Sequence, residues 1–91
     1  MNSTQKFMMG RVVKTQAVNE AVEHAEILAA LARHVCGDWG DVSEHDYQAN
    51  EAALLDQSRL FSVYHSQDGL KFWIITESDR SSTTVLLPEE Y

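Results

Sequence analysis

Ninety-one residues, 44% apolar and 23% charged, fit one small globular domain spanning 1–91. Fourteen acids against seven bases give a net charge of −7. This balance argues against direct contact with nucleic acid, which needs clustered Lys and Arg to neutralise phosphates.

No apolar run reaches the roughly 18 residues of a membrane span, so no membrane partner is expected. The opening MNSTQKFMMGRVVK has neither an apolar h-region nor a small-residue cleavage site, and the single Cys36 cannot close an internal disulfide. The expectation is a cytoplasmic protein.

FMMGRVVK at 7–14 reads as a strand, weakened at its start by Gly10. Thr15 is a plausible N-cap. From Gln16 to Val35, apolar residues at 18, 21, 22, 25, 28, 29, 32 and 35 follow a period near 3.6, which predicts one long helix. Arg33 and His34 in its last turn suit the helix dipole as cations, and Gly37 is a natural stop. Ser43 with Asp46 resembles a capping box opening a shorter helix over 44–56. Its expected inner side is Tyr47, Ala53 and Leu54, and its outer side is acidic.

Three strands complete the chain. RLFSVYHS at 59–66 places Phe61 and Val63 on one face. Gln67-Asp68-Gly69 is a hairpin turn, and LKFWIITE at 70–77 returns with Phe72 and Ile74 on one face, Trp73 and Ile75 on the other. A second turn at 78–82 leads to a strand at 83–87, ended by Pro88. The predicted fold class is α+β: a two-layer domain in β-α-α-β-β-β order, with an antiparallel sheet packed by one long and one short helix.

The motifs exclude more chemistry than they suggest. His34, Cys36 and His45 lack the paired spacing of a zinc site, and DWGDVSEHD lacks that of an EF-hand calcium loop. Cys36 and the Ser/Thr set at 78 and 81–84 have no nucleophile motif around them, and no Gly-rich phosphate loop is present. The expectation is no enzyme, no metal and no cofactor.

The charge distribution is the sharper signal. Between Arg33 and Arg59 stand six acids (Asp38, Asp41, Glu44, Asp46, Glu51 and Asp56) and no Lys or Arg. Such a run is either a solvated face or a surface presenting carboxylates at about 5.4 Å per helical turn, as a duplex presents phosphates. Trp39, in Gly37-Asp38-Trp39-Gly40-Asp41, is either a lid on the core or an aromatic anchor at an interface. Trp73 is expected under a helix or at the sheet rim.

HVCGDWGD at 34–41, the Asn50-x-x-Ala53-Leu54 step, DGLKFWIITE at 68–77 and DRSSTTVLLPEEY at 79–91 resemble a family of small bacterial and plasmid proteins. These usually carry the label "plasmid-related protein" or "type I restriction endonuclease subunit M". The resemblance runs through most of the chain from Gly10 onward and carries no catalytic residues with it. A methyltransferase role does not follow from the label: the chain is far too short for a cofactor domain, and its only proline, Pro88, rules out an Asn-Pro-Pro-aromatic motif. What the resemblance implies is an association with mobile elements and DNA-defence genes.

The resulting expectation is an acidic, non-enzymatic protein of mobile-element origin. Its partner would be the basic surface of a nuclease or DNA-binding defence protein, which it would inhibit in anti-CRISPR or antirestriction fashion by DNA mimicry. Asp38, Asp41, Glu44, Asp46 and Glu51 would act as phosphate-like carboxylates and Trp39 as the apolar anchor. The alternative is an accessory protein-interaction domain without mimicry. The sequence leaves oligomeric state open.

Overall fold

The computed structural model describes residues 4–91. The elements run β1 (Arg11–Lys14), α1 (Gln16–Ala21), α2 (His24–Val35), α3 (Glu44–Asp56), β2 (Leu60–His65), β3 (Lys71–Thr76) and β4 (Ser82–Leu86), then a 3-10 turn at Pro88–Glu90. This is an α+β domain. No helix among the described residues is long and apolar enough to cross a membrane.

The sheet order is β1-β4-β3-β2, and the sheet is mixed rather than antiparallel. β2, β3 and β4 form an antiparallel meander, but β1 pairs with β4 in parallel, Val12 beside Thr83 and Val13 beside Thr84. The connectivity explains the correction. The helical crossover after β1 delivers β2 to the far edge, running the same way as β1. Two hairpins then leave β4 parallel to β2, and so to β1.

The single long helix is also corrected. Thr15 caps α1, its hydroxyl accepting the Val18 N–H at 3.2 Å. Helical geometry stops at Val22, whose φ of −124° and ψ of 133° are extended, and Glu23 becomes the N-cap of α2. The break buries Val18 and Val22 together and resets the phase of α2. In α2 the inner stripe is Ile27, Ala30, Leu31 and His34, while Leu28 is 53% exposed. A period continued from Val18 through the break selects the wrong face, because the break rotates the second half.

The strand pleat and register put Ser62, Tyr64, Phe72, Ile74, Thr76, Thr83 and Val85 on the face that receives α2. Phe61, Val63, Trp73, Ile75, Thr84 and Leu86 lie on the other face, as the alternation predicts for Phe61, Val63, Trp73 and Ile75. A second, smaller cluster joins Trp39, Ala53 and Leu60, with Phe7, Val42 and Leu54 against it.

β2 is an edge strand whose outward backbone groups are all occupied at Phe61 and Val63. Val63 N–H donates to the Trp39 carbonyl at 3.1 Å, and its carbonyl accepts from Asp41 N–H at 2.8 Å. The Asn50 side chain, from α3, completes the edge. Its Nδ2 donates to the Phe61 carbonyl at 2.7 Å and its Oδ1 accepts the Phe61 N–H at 3.0 Å, as a neighbouring strand would. Asn50, only 2% exposed, thus takes the inner position expected for Tyr47, which is 44% exposed. The far end of α3 is held by Arg80, which donates to the Ala53 carbonyl at 3.0 Å and the Ser58 carbonyl at 2.7 Å.

The bridge at 39–41 requires a glycine. Gly40 has φ +76°, and a Cβ there would lie 2.0 Å from the Val63 carbonyl oxygen. Gly69, at φ +86° in the β2–β3 turn, has nothing within 4 Å. Gly40→Ala is therefore expected to lower unfolding free energy by about 3 kcal/mol or more, against about 1 kcal/mol for Gly69→Ala. Urea unfolding of both variants checks this, and equal losses would show that the edge bridge contributes nothing special.

Candidate interaction surface

The six expected site residues separate into those the fold uses and those it leaves free. Asp38 lies just beyond the end of α2 and is neutralised by Arg33, Oδ2 at 2.8 Å from Nε and Oδ1 at 3.2 Å from Nη2. That hydrogen bond holds the Asp38 carboxyl below its ordinary range and raises the Arg33 guanidinium. The Asp38 carbonyl also accepts the Tyr64 hydroxyl at 2.6 Å, and burial pushes the Tyr64 phenol up to about 12. Trp39 is 2% exposed, so the apolar-anchor role is corrected: its ring lies in the core beside Phe7 and His34 and offers no surface to a partner.

Glu51 accepts the Trp39 indole N–H at 2.9 Å and so serves that burial, since a buried indole N–H needs a partner. Asp41 faces His65 at 2.9 Å, both well exposed. Glu44 and Asp46 stand in the first turn of α3, where carboxylates suit the helix dipole. The Ser43 hydroxyl caps the helix by accepting the Asp46 N–H at 3.0 Å. Glu44 accepts from Gln48 at 2.8 Å, and Asp46 has exposed His45 at 3.6 Å.

Beside Asp46 lies an open groove of about 340 Å³ that sequence reasoning missed. Phe61, Trp73 and Ile75 form its floor, Asp46, Ala49 and Asn50 one wall, Arg59 and Tyr91 the other. The rings meet edge to face, Phe61–Trp73 at 5.0 Å and Trp73–Tyr91 at 5.7 Å between centroids. The Arg59 guanidinium sits over the Tyr91 ring, donates to its hydroxyl and reaches Glu77 at 3.5 Å. Part of this was available from the strand pattern. Phe61 and Trp73 lie on the face away from α2, and the hairpin turn brings their strands side by side. The return of Tyr91 onto Trp73 had no local signal.

His34 is the other finding that reverses an expectation. It is fully buried rather than a helix-end cation. Its Nδ1 lies 2.6 Å from Ser62 Oγ and its Nε2 2.9 Å from Thr76 Oγ1; Thr76 continues to Thr83 at 2.7 Å, and Thr83 donates to the Met9 carbonyl at 2.7 Å. This chain ties α2, β2, β3, β4 and the segment before β1 together through satisfied polar groups. His34 and Ser62 are both 0% exposed.

No protein-family model, curated protein or solved structure matches the chain.

Burial, with the Arg80 charge adding to it, drops the His34 pKa from 6.5 to about 3, so the ring is neutral in the fold at pH 7. A depressed folded-state value means that its stabilisation is present above the unfolded value and lost as pH falls from about 6.5 towards 3. Unfolding free energy should decrease by about 3 kcal/mol between pH 7 and pH 4 on this account. His34→Gln should be less stable at pH 7 and flatter through the same window. Denaturant titrations at stepped pH test this; an equally steep variant would assign the acid sensitivity elsewhere.

Proposed function

We propose that the protein is a small acidic, non-enzymatic binding protein that docks on the basic surface of a DNA-handling complex and obstructs DNA there. The nuclease or DNA-binding subunit of a defence system, met in the cytoplasm, is the partner class. The observation that carries this reading is the survival of carboxylates on the surface at Asp41, Glu44, Asp46 and Asp56, in a stretch without Lys or Arg. Asp38 and Glu51 drop out of the contact set, being engaged by Arg33 and Trp39.

Charge density refines the mechanism. The 13 residues of α3 extend about 20 Å, over which a duplex carries roughly 12 phosphate charges. Over that length α3 carries three acids at its surface outside the Trp39 contact, Glu44, Asp46 and Asp56. That density supports occupation of part of a DNA-binding surface rather than a replica of duplex, with steering by complementary charge.

Capture from a bacterial lysate containing CRISPR and restriction complexes, washed at low and high salt, tests the reading. A nuclease or DNA-binding subunit should be retained, released at high salt and competed off by duplex DNA. Asp41→Lys combined with Glu44→Lys should weaken that capture about tenfold or more while the thermal midpoint stays near that of the parent. Salt-resistant capture, or capture untouched by the double reversal, would favour instead an accessory interaction domain that binds through its aromatic sheet face.

A further inference from the structure

The groove between α3 and Tyr91 combines a ring-lined floor with a carboxylate. Trp73 and Tyr91 are 5.7 Å apart between centroids, and Asp46 closes the opposite wall with its side chain 44% exposed. Among the described residues that carboxylate pairs only with His45, 3.6 Å away and itself 91% exposed.

The rest of the molecule shows what such a pair accommodates. Three of the four arginines lie over rings: Arg33 over Tyr64 at 4.8 Å, Arg59 over Tyr91 at 5.9 Å and Arg80 over Phe7 at 5.7 Å. Arg33 and Arg59 each add a carboxylate, Asp38 and Glu77. Trp73 and Asp46 line the same groove, which therefore offers a ring and a carboxylate together. Arg59 lines the same groove, but its guanidinium is held by the Tyr91 hydroxyl and by Glu77.

We propose that this groove is a receptor for one arginine side chain of a basic partner, stacked on the Trp73 ring and paired with Asp46. It rests on the reading of the protein as a ligand of a basic surface and names the residue that surface supplies. Three physical points select arginine. A guanidinium is planar and weakly hydrated, so it stacks on a ring and forks onto a carboxylate at once, whereas an ammonium is compact and strongly hydrated. An apolar side chain would cover Asp46 without pairing it, which costs desolvation. The groove's volume of about 340 Å³ also leaves room for the aliphatic stem over Phe61 and Ile75.

The test is an NMR titration of the full chain, following backbone amides and the Trp73 indole, with capped pentapeptides that place Arg, Lys or Leu between pairs of glycines. The Arg peptide should shift the Trp73 indole and the Ala49 and Asn50 amides saturably, the Lys peptide several-fold more weakly, and the Leu peptide not at all. Asp46→Asn should weaken the Arg peptide about fivefold, and Trp73→Leu should abolish its effect on Ala49 and Asn50. The Asp41→Lys, Glu44→Lys double variant should leave it within twofold. Equal binding of the Leu peptide, shifts confined to the amides around Asp41 and Glu44, or no saturable shift would each overturn the proposal. Because the titration contains no partner protein, failure of the docking reading in lysate leaves this result standing, and the reverse also holds.

Discussion

The closure of the β2 edge is the constraint on which the rest of the molecule depends. A strand at the rim of a four-stranded sheet presents unpaired N–H and C=O groups, and leaving such groups unmade when covered costs about 1–3 kcal/mol each. Here four of them, on Phe61 and Val63, are met by two different devices: the backbone at 39–41 and the Asn50 amide. The two devices are linked. The bridge at Gly40 holds Trp39 over the small cluster, Glu51 satisfies the Trp39 indole, and Glu51 lies one residue from Asn50 on the same helix. The loop and α3 are therefore positioned by one another and by the strand they seal. The opposite edge, β1, is blunted differently, with Arg11 and Lys14 at the ends of a four-residue strand.

Which parts are legible in the sequence depends on the range of the signals. The positions of β2, β3 and β4, the Gln67-Asp68-Gly69 turn and the faces of β2 and β3 are legible over a few residues and hold in the structure, whereas the first strand, expected over 7–14, forms only at Arg11–Lys14. The phase of α2 is not legible, because hydrophobic periodicity assumes an unbroken helix and Val22 interrupts it by preferring burial in an extended conformation. The parallel pairing of β1 is not legible either: it is decided by where the crossover lands, which no local pattern encodes. His34 reads as a helix-end cation because its partners, Ser62 and Thr76, are 28 and 42 residues away.

The acidic run shows the same limit at the level of function. Six acids in sequence read as one surface, yet three-dimensional pairing splits them. Asp38 is used by Arg33, and Glu51 is used by a tryptophan whose burial is one of two options in the sequence. HVCGDWGD is thus largely an instruction for folding: His34 knits the strands, Asp38 and Trp39 fix the loop, and Gly40 admits the bridge to Val63. A motif can be dense and specific for that reason alone.

What remains after the fold's own requirements are met is a smaller and more coherent set. Glu44 and Asp46 crown the first turn of α3, where the helix N-terminus favours carboxylates whether or not a partner is present, so their position costs the fold nothing. Asp46 adds a second property, since it faces both the solvent and the aromatic groove. A partner approaching with basic groups would first meet the exposed carboxylates, an attraction that physiological salt largely screens beyond about 8 Å. On the proposed reading, contact with Trp73 would supply the desolvated, oriented interaction that turns attraction into specific binding. Asp46 and the rings thus line one groove, and in the proposed interaction the charge would set how a basic partner arrives and the ring which of its side chains is retained.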